Sequence, residues 1–116
     1  MFSYENLEVY KKAKDFYSSV FKYLKSNKGL PPYVKNQLGR AALSIMLNIA
    51  EGSGRFTDSD RKHFYVMARS SAFECAAIIS AMIEEEEILP AMGEEMKSAL
   101  ENISRGLFAM IKNLEK

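Results

Sequence analysis

The stretch Asn48-Ile49-Ala50-Glu51-Gly52-Ser53-Gly54-Arg55 decides the fold. It closes a long amphipathic run that contains no proline. Almost at once Thr57-Asp58-Ser59-Asp60 follows, a hydroxyl cap with a carboxylate three residues on, close to a capping box. The segment therefore reads as a structural hinge between two helices, with Gly52 and Gly54 supplying the stop. It is not a phosphate loop, because it follows a helix rather than a strand and no Gly-Lys-Ser/Thr comes after it.

Upstream of the hinge, a helix is expected over about Tyr33 to Glu51. Leu38, Ala41, Ala42, Ile45 and Ile49 form its core stripe. The alanines permit close approach by a neighbour, and Arg40, Ser44 and Asn48 make a polar line at spacing four. Downstream, the helix after Thr57 carries two apolar seams. One is Phe64, Met67, Ala68, Ser71, Cys75, Ile78 and Met82; the other is Tyr65, Ala72, Ala76, Ile79 and Ile83. A helix apolar on two sides is central or sits at a subunit contact.

The flanking segments follow the same period. Val9, Ala13, Phe16, Val20 and Leu24 give a first helix from about Leu7 to Lys25, with Asn6 as N-cap. Gly29 should take the left-handed conformation after it, and Pro31-Pro32 block continuation. A last helix is expected over about Ala91 to Leu114, lined by Met96, Leu100, Ile103, Leu107, Met110, Ile111 and Leu114. The seven methionines read as core filler. Short, punctuated connections place successive helices antiparallel. The fold class is all-α, an antiparallel up-down-up-down four-helix bundle, with residues 1–116 as one domain.

Composition restricts the chemistry. The single Cys75 excludes an internal disulfide and fits a reducing compartment. Met1 to Asn6 lacks an apolar h-region after it, and no apolar run nears the roughly 18 residues that cross a bilayer. A cytoplasmic protein without a membrane partner is the expectation. Net charge is only +1, but residues 1–62 hold 11 Lys/Arg against 6 Asp/Glu and residues 63–116 hold 5 against 9. The chain is basic in its first half and acidic in its second.

Catalytic and metal constellations are not found. His63 is the only histidine, so Asp60-x-x-His63 lacks the second Glu-x-x-His pair of a bundle metal site. Cys75 sits on an apolar seam, where burial keeps a thiol inert. Glu84 to Glu87 reads as solvated charge near a frayed helix end. Glu74 lies at the edge of a seam, and a buried carboxylate would need a partner. Arg40 is the best one, with Ser44 and Asn48 as donors; breaking such a buried pair costs about 3–5 kcal/mol. The one nucleic-acid cue is on the first helix, where Lys11, Lys14, Lys22 and Lys25 interleave with Tyr10, Tyr17 and Phe21. Lysines neutralise phosphates and rings stack on bases.

Several of these stretches together resemble the four helix bundle proteins also called 23S ribosomal RNA intervening-sequence proteins. They are Leu7-Glu8-Val9-Tyr10 with Ala13, the run Gln37 to Ile45, the run Asn48 to Arg55, Phe64, and Ala68-Arg69-Ser70-Ser71-Ala72-Phe73-Glu74. The series from Arg40 through Ser44 and Asn48 to Glu51-Gly52 is the specific part. The chain departs from the pattern at Ser70, where Gly is usual, and at Met46, where Pro is frequent. The resemblance implies a small helical subunit assembling into a ring, often a pentamer. A related branch is an accessory to the reverse transcriptase of diversity-generating retroelements and binds nucleic acid through a basic surface. No catalytic residue or cofactor is implied. The expectation is a non-enzymatic homo-oligomeric binding or scaffold protein whose partner is RNA or a ribonucleoprotein. The other reading is a structural ring that binds another protein.

Overall fold

The computed structural model describes residues 2–115. A 3-10 turn over Ser3–Asn6 leads into α1 (Glu8–Ser26), α2 (Pro32–Ser53), α3 (Asp58–Glu84) and α4 (Pro90–Leu114). Each helix packs on the next, and α4 returns to α1, which closes the bundle. Cross-helix approaches show the directions. Gly39 faces Leu24, Gly52 faces Tyr65 and Gly93 faces Ile83, while Gly106 lies against Val9. Ser44 meets Ser71, and Lys62 meets Glu115. For α2 with α3 and for α3 with α4, one residue number rises as the other falls, so these neighbours are antiparallel. The short α1–α2 connection and the single approaches of α1 to α2 and α4 fit the same up-down-up-down order.

The buried side chains of α1, α2 and α4 follow the stripes read from periodicity. They are Val9, Ala13, Phe16 and Val20; Leu38, Ala41, Ala42, Ile45 and Ile49; and Met96, Leu100, Ile103, Leu107 and Ile111. In α3 the buried line is Tyr65, Ala68, Ala72, Cys75, Ile79 and Met82. It takes residues from both expected seams and leaves Phe64, Met67 and Ile78 half-buried. The cause is position: α3 packs against α2 on one side and α4 on the other, so its innermost line falls between the two seams.

The helix ends correct several expectations. Leu7, not Asn6, is the N-cap of α1, and the preceding turn is closed by the Leu7 N–H donating to the Tyr4 carbonyl at 3.0 Å. Gly29 does not take a left-handed conformation. The last carbonyls of α1 are satisfied instead by Asn27 Nδ2 donating to Tyr23 O at 3.1 Å and Ser26 Oγ donating to Lys22 O at 3.0 Å. Pro32 starts α2 itself, since its fixed φ suits the first helical turn. Thr57 does cap α3: its Oγ1 accepts from the Asp60 N–H at 3.1 Å.

The acidic run at the end of α3 is ordered rather than frayed. Glu86 has φ 59°. Its N–H donates to Ile83 O at 3.1 Å, and the Glu87 N–H reaches back to Met82 O at 2.8 Å. This is a Schellman turn with glutamate where glycine is the usual residue. Tyr23 Oη donates to the Glu87 carbonyl and pins the turn to α1.

Helix α3 also corrects the hydropathy reading. An 18-residue window within it has mean hydropathy 1.4, long and apolar enough to cross a membrane by length and composition alone. Alanine and isoleucine raise the average even where serines interrupt the run. Only 28% of that window is buried in the bundle, so α3 presents considerable apolar surface outward.

Candidate functional site

The motif around the opening stretch builds a corner between α2 and α3. Helix α2 does not stop at Gly52 but continues to Ser53, with Gly54 at its cap. Gly52 is buried because the Tyr65 ring lies on it: a Cβ there would fall 2.7 Å from Tyr65 Cε1 and 3.0 Å from Phe64 Cβ. The corner is tied from several sides. Ser53 Oγ donates to Ala50 O at 2.9 Å and Arg61 Nε donates to Arg55 O at 2.8 Å. Arg55 pairs with Glu51 at 3.7 Å and its guanidinium covers the Phe64 ring at 4.4 Å. Glu51 thus serves the corner, exposed and facing Arg55.

The polar tie between α2 and α3 exists, but not with the expected partners. Ser44 Oγ and Ser71 Oγ share a hydrogen bond of 2.9 Å. Asn48 Nδ2 donates to Ser44 O at 2.9 Å and to Ser44 Oγ at 3.0 Å. Glu74 and Arg40 are both exposed, and among the described residues neither makes an ion pair. The expected buried Glu74–Arg40 pair is therefore corrected: Glu74 points to solvent, one turn beyond the serine that makes the contact. No buried charge is stranded, and the cost reckoned for one does not apply.

Cys75 is fully enclosed, and burial, with Glu74 adding, pushes its thiol up to about 12. A thiol so protonated is a poor nucleophile at neutral pH. His63 is exposed and packs edge-on against Phe64 at 5.5 Å. Among the described residues no three His, Cys, Asp or Glu side chains converge to hold a metal ion.

On α1 the lysines stand as spacing predicts. Lys11, Lys14, Lys22 and Lys25 are all exposed. Their intervals of three, eleven and fourteen residues from Lys11 put them on one face, about 21 Å from end to end at 1.5 Å per residue. Lys11 lies 3.6 Å from Glu8, an exposed pair of little energetic weight. Lys25 sits 5.7 Å above the Phe21 ring. Lys22 also borders a groove of about 1090 Å³ between α1 and α4, whose floor includes Phe16, Ile88 and Met96.

A second groove, between α3 and α4, was not foreseen. Phe73 and Phe108 stand out from it, 56% and 48% exposed. Arg69 lies over both rings, at 4.8 and 5.5 Å. Phe73 and Phe108 belong to neither core stripe, and an apolar residue off the stripe was the available signal.

What these features define is an all-α helical bundle with exposed cationic and aromatic surfaces. Residues 5–109 match the family model described as 23S rRNA-intervening sequence protein. The chain belongs to that family. A solved structure from Bacteroides thetaiotaomicron, a protein of unknown function from the S23 ribosomal protein family, superimposes with a TM-score of 0.86. It is 23% identical, over 90% of this chain and 98% of that chain, a likeness of fold. No curated protein matches.

Proposed function

We propose that this protein is a non-catalytic, oligomeric binding protein that docks RNA, alone or in a ribonucleoprotein, on the exposed face of α1. The observation that carries the reading is the single line of Lys11, Lys14, Lys22 and Lys25, with Phe21 exposed and Tyr10 and Tyr17 half-buried beside it. Such a face neutralises phosphates through counterion release and offers rings to bases, without reading sequence. One copy has a small net charge. Repeating the α1 face around a cyclic assembly would sum it, and the family resemblance implies a ring, often a pentamer, for that assembly.

Self-association is supported by the outer surface of α2 and α3. Leu47 is 54% exposed on α2, and Val66, Ser70 and Ala77 follow one another along the outside of α3. Small and apolar residues on an outer helix face suit a repeated subunit contact.

The test is fluorescence anisotropy at low salt with structured RNA and with single-stranded DNA. Binding should be weak, indifferent to sequence and steeply salt-dependent. Replacing the four lysines with Gln should lower the affinity and reduce the salt slope by roughly 3, at about 0.7 per lost contact on single strands. No binding at tens of micromolar protein would reject the reading in favour of a ring that binds another protein. A monomer mass by light scattering would reject the assembly.

A further inference from the structure

The α3–α4 groove, about 380 Å³, has Arg69 and Phe73 on one wall and Arg105 and Phe108 on the other, over a floor of Ala72 and Leu100. Three cations border it, and their pairing differs. Arg105 lies 3.2 Å from Glu101, and Lys97 lies 4.0 Å from Glu94. Arg69 has no carboxylate within ion-pair distance among the described residues, and its Nε is buried without a hydrogen-bond partner. Its guanidinium is held by ring faces alone, at 4.8 Å from Phe73 and 5.5 Å from Phe108. A guanidinium held against rings keeps its N–H edge free for two parallel bonds to a carboxylate. Phenylalanine and arginine, here two exposed rings beside a half-buried guanidinium, are also among the side chains enriched at protein interfaces.

We propose that this groove docks an acidic, apolar peptide segment of another protein: a Glu or Asp carboxylate on Arg69, with the neighbouring apolar side chain between Phe73 and Phe108. Charge complementarity selects the occupant. Among the described residues Arg69 is the one groove cation without a carboxylate partner, and one peptide carboxylate matches it. A polynucleotide would instead bring a charge with every residue past Glu94 and Glu101, along the acidic half of the chain. The proposal goes beyond the RNA reading, because it uses a different face and different residues.

The full-length protein is titrated into a short fluorescein-labelled peptide of alternating Glu and Leu with a central Phe, and into its Gln-for-Glu counterpart. The Glu peptide should bind saturably and the Gln peptide at least roughly tenfold more weakly. Arg69→Gln and Phe108→Ala should each weaken the Glu peptide by roughly tenfold or more, with far-UV circular dichroism unchanged. Arg69→Lys, which keeps the charge and loses the fork, should fall between. The α1 variant lacking its four lysines should bind the peptide as the wild type does, which separates this site from the RNA face. Equal affinity for the two peptides, no saturable binding, or an Arg69→Gln variant that binds normally would overturn the proposal. Displacement of the peptide by RNA from the lysine-depleted variant would also overturn it, by assigning the groove to nucleic acid.

Discussion

Gly52→Ala is the sharpest test of how α2 meets α3. In an open helix the change would stabilise, since Ala is about 1 kcal/mol better than Gly. At Gly52 the new methyl would lie 2.7 Å from Tyr65 Cε1, 3.0 Å from Tyr65 Cδ1 and 3.0 Å from Phe64 Cβ. Comfortable carbon contacts are about 3.5–4.0 Å. The Tyr65 ring is buried, and Phe64 Cβ is fixed to the α3 backbone, so relief requires the helices to separate. Overpacking of this kind costs about 1–3 kcal/mol, and a contact that cannot rotate away belongs at the upper end. Subtracting the propensity gain leaves a net loss of about 2 kcal/mol. At about 4 °C per kcal/mol for a chain of this size, Tm should fall by roughly 8 °C. Gly54→Ala is the control: its nearest atoms are backbone oxygens at 3.6 and 3.9 Å, and its stability should stay close to wild type. Thermal and urea unfolding followed by circular dichroism measure both. A Gly52→Ala protein as stable as wild type would refute the argument that this glycine exists for close approach.

At the end of α3, Glu86 holds φ 59° without being glycine. Glu86→Gly should stabilise by about 1 kcal/mol in urea unfolding, by removing left-handed strain and a carboxylate from the negative end of the helix; a loss of stability would contradict the Schellman assignment. The Cys75 thiol, raised to about 12 in the fold, ionises near 8.5 in the unfolded chain. The unfolded state therefore loses its proton first, so the contribution is full below about pH 8.5 and is lost as pH rises toward 12. Between about pH 9 and 10 the wild type should lose stability faster than Cys75→Ala, by up to about 1.4 kcal/mol per pH unit; parallel slopes would count against burial of the thiol.

The sequence alone determined the four helices and their order, because each carries apolar residues at period 3.6, and in α1, α2 and α4 that stripe is the inner face. Val9 to Val20, Leu38 to Ile49 and Met96 to Ile111 needed no tertiary information. The Thr57 cap was equally legible, and Pro32 and Pro90 marked the starts of α2 and α4 to within one residue, since capping and fixed φ are local. The exposed lysine line on α1 was legible for the same reason: residues off the stripe face water.

What only the tertiary structure decided depends on two helices at once. The buried line of α3 lies between its two seams because α2 and α4 both press on it. Glu74 faces solvent and Ser71 faces Ser44 through the depth and rotation at which α3 docks on α2, a quantity no single helix encodes. Gly52 is a packing residue rather than a stop because Tyr65, thirteen positions later, lies over it. The unmatched Arg69 between Phe73 and Phe108 arises where α4 happens to place a ring beside α3. Periodicity fixes which face of a helix is buried; which partners meet there is set by the packing of one helix on another.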